Sequence, residues 1–340
     1  MAANNSLSYD AYTNINQMEE GWQETDGKLI VYARIFGQEP KIYEITADHS
    51  PEIKSKVLKT YNDHNSSDPQ IMKMVFADMQ SLAPAMSYGT ILWSHATNWA
   101  PAAEQIKTRS FGDDNFRRMD VQDLTKSLPT NLDFLIFDAC SMASVEVLYE
   151  LRHTAPYILA SPTEVLSVGM PYHQIIPFLF NADSKQGLTS IAKNYLNYYQ
   201  EKTGLEQSAS FSLIDTYKLE AVAQATAQLL DRYSTLIPLI DRQQVQRLDL
   251  STDTPVPAYD FLDLWEKNFP QEALKDLKIA TQNAVLYKDH TASFLGNPII
   301  SFSGLSVYIP TQIEAEAYKS FYATLSWAKD AGYMRMFWWK

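Results

Sequence analysis

Two side chains in this sequence can do covalent chemistry together. Cys140 is the only cysteine. It stands at the carboxyl end of a short apolar run, Leu132-Asp133-Phe134-Leu135-Ile136-Phe137, after Asp138 and Ala139. His95 closes a second such run, Thr90-Ile91-Leu92-Trp93-Ser94. A thiol becomes a nucleophile once a base takes its proton, and imidazole is suited to that task near neutral pH. The pair predicts acyl transfer by Cys140, with His95 acting first as base and then as acid. Each residue alone has a plainer reading. A single cysteine is more often a small buried hydrophobe, and a histidine after a strand is more often structural. A strand ending in His, followed 140 − 95 = 45 residues later by a strand ending in Asp-x-Cys, is more specific.

The elements must deliver both groups to one place. Each apolar run is long enough for a buried strand and too short for a helix. In open α/β sheets ligands bind at the carboxyl ends of the strands. Ser141 is expected to N-cap a helix carrying Met142, Val145, Leu148, Tyr149 and Arg152 on one face. That would set Cys140 beside the positive end of a helix dipole and favour its thiolate. The oxyanion of a tetrahedral intermediate would rest on the main-chain N–H groups of Cys140 and Ala96. Asp138 lies two residues before Cys140, on the same strand face. It is expected either to order the neighbourhood of Cys140 and His95 or to serve as a structural acceptor. No metal enters this chemistry. His49, His64, His153, His173 and His290 read as surface or structural residues.

The remaining chain alternates strand and helix patterns. Helices are expected over 10–22, from Pro69 onward, over 188–200, over 217–233 behind an Asp215 cap, over 259–269 and over 272–285. Strands are expected over 29–33, 41–45, 157–160 and 208–214, with a hairpin of 298–302 and 305–309 turning at Ser303-Gly304. Residues 100–123, with Lys107, Arg109, Arg117 and Arg118, read as a solvated loop, and 251–257 as a linker. This alternation predicts an α/β protein: a mainly parallel sheet with helices on both faces.

With 340 residues, 46% of them apolar, the chain can bury a large core. Its formal charge, 28 − 40 = −12, argues against nucleic acid or an anionic membrane as partner. No apolar run is long enough to span a bilayer. One thiol excludes an internal disulfide framework and a Cys-rich zinc site.

Four segments carry a resemblance to a known family. They are Leu92-Trp93-Ser94-His95 with Trp99, then Asp138-Ala139-Cys140-Ser141-Met142-Ala143-Ser144-Val145-Glu146-Val147, then Ala160-Ser161-Pro162-Thr163-Glu164, and Gly169-Met170-Pro171-Tyr172. Together they resemble the clostripain family of cysteine peptidases, in the caspase and gingipain group. The resemblance extends weakly over nearly the whole chain. It implies a caspase-like three-layer sandwich formed by one domain over 1–340. Residues 1–200 would hold the His and Cys, and 201–340 would complete the sheet and helical layer. It implies cleavage of a peptide or protein substrate by His95 and Cys140. It also implies an extracytoplasmic location, with an export signal and part of a first strand expected ahead of Asn4-Asn5-Ser6. Maturation by a cut between the His and Cys segments follows too, with Arg109-Ser110 as the candidate bond. Calcium is suggested by the resemblance alone, with Asp113-Asp114 as the nearest acids.

Two positions depart from the family pattern. Ala96 stands where the family has glycine after the histidine, which would strain the loop or shift an oxyanion N–H if positive φ were needed there. In the pocket segment Ser167-Val168-Gly169, Val168 replaces the acid that basic-specific relatives carry. The expected preference before the cleaved bond is therefore an apolar or small residue, because a buried guanidinium without a counter-ion is costly. A peptidase-like domain that binds peptides without turnover is the alternative.

Overall fold

The computed structural model describes residues 1–100, 110–249 and 256–337. Strands β1 (Ala2–Ala3), β2 (Ile30–Ile35), β3 (Lys41–Glu44) and β4 (Lys56–Thr60) form one sheet in that order. β5 (Tyr88–Trp93) is followed by a hairpin, β6 (Phe111–Asp114) and β7 (Arg117–Met119). Then come β8 (Leu132–Asp138), β9 (Tyr157–Ala160), β10 (Ser210–Asp215), the short β11 (Tyr259–Asp260) and β12 (Val285–His290). The second sheet runs β12-β10-β9-β8-β5. The two sheets meet at Ser94, whose Oγ donates to the Ala2 carbonyl at 2.6 Å. Pairing is parallel for β1–β2, β5–β8 and β8–β9, and antiparallel towards both outer ends. β3 lies between β2 and β4; β4 and β12 are the outer strands.

Apolar alternation along the central strands puts a core on each face. On β8, Phe134 and Ile136 enter one cluster, while Leu135 and Phe137 enter the other. Helices α1 (Ser8–Gly21), α5 (Tyr172–Ile175) and α6 (Ser184–Gln200) cover the first face with Ile15, Met18, Ile175, Ile191 and Tyr195. The opposite face is covered by α3 (Val121–Ser127), α4 (Val145–Glu150), α7 (Leu219–Arg232), α8 (Phe261–Asn268), α9 (Lys275–Ala284) and α11 (Ser326–Asp330). α2 (Pro69–Leu82) begins at Pro69, as the sequence predicts, with Asp68 as its N-cap, and α10 (Gln312–Tyr322) precedes α11. Burying one aromatic side chain in such a layer stabilises the fold by about 1.5–3 kcal/mol. The result is the expected three layers, with a sheet that is mixed rather than mostly parallel.

Three segments differ from expectation. Residues 111–119 are the β6–β7 hairpin rather than a solvated loop, and all of β6 is buried. Val285–His290 is an outer strand. Residues 298–309 form no hairpin. β13 (Ser293–Phe294) pairs with β14 (Asn297–Pro298), and β15 (Ser306–Val307) pairs with β11. The Ser306 N–H donates to the Ala143 carbonyl at 3.0 Å, which draws β15 onto the turn after Cys140.

Candidate active site

Register sets the site. β5 and β8 are neighbouring parallel strands, and Trp93 lies opposite Asp138. His95 and Cys140 each follow two residues later, so both emerge at the carboxyl rim of one sheet. Both side chains are half-buried.

The chain turns sharply after the thiol. Ser141 has φ +58, a left-handed conformation that costs a non-glycine residue about 1 kcal/mol. Its N–H donates to the Thr163 carbonyl at 2.8 Å, and the Ala143 N–H to the Ser161 carbonyl at 3.0 Å. The expectation that Ser141 caps the helix is therefore corrected. α4 starts at Val145, and Ser144 is the cap, with its Oγ accepting from the Val147 N–H at 3.2 Å. Cys140 is thus not at a helix N-terminus, and the dipole argument for its thiolate falls. Its sulfur instead accepts from the Val165 N–H at 3.4 Å and lies 3.6 Å from the Val165 carbonyl oxygen. Burial pushes the thiol up to about 11; the Val165 bond pulls the other way, Glu164 and Asp138 raise it further, and Arg118 lowers it.

The loop after His95 is pinned on both sides. The Gly112 N–H donates to the His95 carbonyl, and the Thr97 N–H to the Ser110 carbonyl, both at 3.0 Å. Ala96 and Phe111 form the bridge between them. Such a pair is the non-hydrogen-bonded kind, so the Ala96 N–H points away from β6. No acceptor among the described residues takes the N–H of Ala96 or of Cys140. The strain foreseen at Ala96 is absent: Ala96 is not among the residues of positive φ, and the left-handed residue of this loop is Asn98, φ +68. Asn98 Oδ1 accepts from the Trp99 N–H at 2.8 Å and from Ser144 Oγ at 2.5 Å, which ties the His95 loop to the Cys140 loop.

The His95 imidazole meets a serine. Its Nε2 is 3.0 Å from Ser6 Oγ, in the loop between β1 and α1. Burial lowers its pKa, Arg118 lowers it further, and Asp113 acts in the opposite sense. Arg118 Nε and Nη2 donate to Asp113 Oδ2 at 3.0 and 2.7 Å. The charge of Arg118 thus acts on both His95 and Cys140. No hydrogen bond joins thiol to imidazole among the described residues.

Asp138 is bonded to the loop through Met170 and Tyr172 rather than to His95. Its Oδ2 accepts from the Met170 N–H at 3.1 Å and the Tyr172 hydroxyl at 2.8 Å. Burial pushes its carboxyl up to about 6, opposed by those two bonds. No cation pairs with it among the described residues. Ser167 and Val168 form the exposed tip of a turn closed by the Gly169 N–H on the Leu166 carbonyl at 2.8 Å. The Val168 carbonyl accepts from Asn14 Nδ2 at 3.1 Å, and the Gly169 carbonyl from the Tyr199 hydroxyl at 2.7 Å.

The acids suggested for calcium are occupied by the chain itself. Asp113 holds Arg118, and Asp114 accepts from Asn4 Nδ2, the Ser66 N–H and Ser66 Oγ. Among the described residues no three His, Cys, Asp or Glu side chains gather where a metal could sit. Arg109 lies outside the described residues, as does most of the linker read at 251–257. Ser110 is buried, with its Oγ on the Ala100 carbonyl at 2.9 Å.

Sequence reasoning missed Ser6, Asn98, Ser144 and Arg118 as parts of this site. Asn4-Asn5-Ser6 carried a turn signal only, and Arg118 was one of several cations in an apparent loop. Nothing in their spacing points to His95 or Cys140.

An α/β sandwich with a thiol and an imidazole on one sheet rim has the architecture of a cysteine peptidase. The model of the clostripain family, peptidase C11, matches residues 1–337, and the chain belongs to that family. It is a cysteine-type peptidase with the caspase-like fold, of bacterial type, and its substrates are peptides or proteins. A secreted C11 cysteine protease from Bacteroides thetaiotaomicron, solved with an irreversible peptide inhibitor, is 30% identical, with 98% of this chain and 97% of that one covered and a TM-score of 0.83. An inactive zymogen C11 protease from Parabacteroides distasonis is 28% identical, with coverage of 97% and 95% and a TM-score of 0.83. A second secreted C11 protease from Bacteroides thetaiotaomicron, 22% identical, covers 97% of each chain with a TM-score of 0.82 and supports the fold alone. No curated protein matches the sequence. No helix among the described residues is long and apolar enough to cross a membrane.

Proposed function

We propose that the chain is an endopeptidase acting through a Cys140/His95 dyad. The observation that carries this reading is the Trp93–Asp138 register, from which both groups reach one rim. The thiol proton passes to His95 as sulfur attacks the scissile carbonyl carbon. The oxyanion takes the N–H groups of Cys140 and Ala96, which have no other acceptor among the described residues. His95 then protonates the leaving amine, and a thioester remains on Cys140. Water, deprotonated by His95, attacks the thioester and restores the thiol. No step requires a metal. Residues 1–340 act as one unit, and the likeness to a protease described as secreted supports an extracytoplasmic site of action.

The pocket before the cleaved bond is assigned to Ser167, Val168 and Gly169. Val168, 45% exposed, favours a small or apolar side chain. A second reading rests on Asp138, a buried carboxyl behind Gly169 with no cation paired to it among the described residues. A substrate Arg or Lys reaching it would supply the missing charge, so the pocket would instead prefer a basic residue. Labelling with peptide acyloxymethyl ketones varied at that position decides between the two, with Cys140→Ala and His95→Ala as controls. Labelling of Cys140→Ala equal to that of the unmodified protein would refute the dyad.

The rival is a member of this peptidase family whose turnover is impaired and which mainly binds peptides. It is favoured by the elevated thiol pKa and the Val165 contacts, which leave no ready thiolate in the free protein. Absence of Cys140-dependent labelling by every peptide of the panel would establish it.

A further inference from the structure

The bond between Ser6 and His95 is the one side-chain hydrogen bond of the imidazole among the described residues. Ser6 itself is exposed, yet its loop is held on either side. Asn4 Nδ2 donates to Asp114 Oδ1 at 2.6 Å, and the Asn115 N–H donates to the Asn4 carbonyl at 3.2 Å. Asn5 Nδ2 donates to the carbonyls of Asp113 at 2.6 Å and Ala2 at 3.1 Å, while Asn5 Oδ1 accepts from the Leu7 N–H at 2.8 Å. Two asparagines thus lock the Ser6 backbone to the same β6–β7 hairpin that pins the His95 carbonyl through Gly112. A surface serine whose hydroxyl meets one ring nitrogen by chance would need no such scaffold.

We infer that Ser6 is a positioning residue that accepts the Nε2–H of His95 and so leaves Nδ1 as the basic nitrogen. The inference rests on the dyad reading only for its catalytic consequence. In neutral imidazole one nitrogen carries the proton and the other accepts. With Nε2–H donating to Ser6, Nδ1 holds the lone pair that takes the thiol proton. When the ring becomes a cation, Nε2–H still has its acceptor, so the charged form is stabilised as it appears. The charged groups acting on His95 are Arg118 and Asp113, both on the hairpin, and the Cys140 thiol shares its rim. The β1–α1 loop contributes a hydroxyl and no charge to this set.

The test uses the full chain labelled with 15N at its six histidines, with the His95 signal assigned by loss in His95→Gln. Long-range proton–nitrogen correlation is expected to show His95 as the Nε2–H tautomer. Ser6→Ala should mix the tautomers and lower the imidazole midpoint, because an acceptor of the cation is lost. Ser6→Asp should raise the midpoint by about one pH unit, because a carboxylate favours the cation. Ser6→Thr keeps a hydroxyl and should restore the original tautomer. With the best peptide of the ketone panel, Ser6→Ala should lower kcat about tenfold with KM unchanged, the scale of one lost hydrogen bond. An unchanged tautomer and midpoint in Ser6→Ala overturns the inference, whether or not the protein turns over. Lost activity with an unmoved midpoint also overturns it, since that marks a merely structural serine. If His95→Gln instead retains full activity, the dyad fails while the tautomer result still stands on its own.

Discussion

Gly169 offers a quantitative test of how the loop proposed to line the pocket is held. It has φ +70, and a Cβ built there would lie 2.7 Å from Asp138 Oδ2 and 3.2 Å from Asn14 Oδ1. Gly169→Ala therefore carries two costs. The left-handed backbone costs an alanine about 1–2 kcal/mol. The clash then forces Asp138 away from the Met170 N–H and the Tyr172 hydroxyl, and a hydrogen bond to a charged group is worth about 1.5–3 kcal/mol. Losing one of them brings the total to about 3–5 kcal/mol. Gly37 provides the control: its φ is +74, and nothing lies within 4 Å of an added Cβ. Gly37→Ala should cost only the backbone part, about 1–2 kcal/mol. At about 2 °C per kcal/mol for a chain of this size, thermal unfolding should drop by about 6–10 °C for Gly169→Ala and about 2–4 °C for Gly37→Ala. Calorimetry of both variants at neutral pH measures the difference. Equal drops would refute the claim that Gly169 is required by its approach to Asp138. If the larger drop occurs while kcat/KM stays unchanged, the loop is structural and does not line the pocket.

Other outcomes follow from the same geometry. The Asp138 carboxyl is raised to about 6 from 3.8, so its contribution to stability is full below about pH 4 and is lost as pH rises through 6. Asp138→Asn should therefore flatten this part of the melting profile between pH 4 and 7, and an unchanged slope would contradict it. The free thiol is pushed up to about 11, so iodoacetamide alkylation of Cys140 should keep accelerating above pH 9; a plateau below pH 8 would show a preformed thiolate. Asn98→Gly removes the link to Ser144 Oγ but suits φ +68, whereas Asn98→Ala removes the link and adds strain. Both should lower kcat, and Asn98→Ala should be less stable than Asn98→Gly by about 1–2 kcal/mol; identical melting would mean that the strain is absent.

The elements that could be read from sequence are those whose residues carry their own reason. β8 is a dense apolar run, and Asp68-Pro69 announces α2 through a cap and a fixed φ. Leu92 and Trp93 report a buried strand whichever neighbour they meet. The β6–β7 hairpin was illegible because the burial of Asp113 and Asp114 depends on partners far away in sequence, Asn5 for the first and Asn4 and Ser66 for the second. Ser141 looks like a helix cap in composition, but tertiary bonds to 161–163 bend the chain first. Of the candidate site, the positions of His95 and Cys140 after β5 and β8 could be read, because strand ends are visible in one dimension; the loop 167–169 is legible only through the family resemblance. Ser6 lies 89 residues from the imidazole it meets, and no local pattern spans that distance.

The bonds on either side of residues 101–109 bear on what a broken backbone would do. Ala100 is tied to Ser110, Thr97 to Ser110 and His95 to Gly112, so a scission between Ala100 and Ser110 would leave the flanking residues on the two fragments still bonded to each other. β5 would then belong to one fragment and β8 to the other, zipped along their full length. Two polypeptides would migrate as one particle until denaturant separates them, with His95 on one and Cys140 on the other.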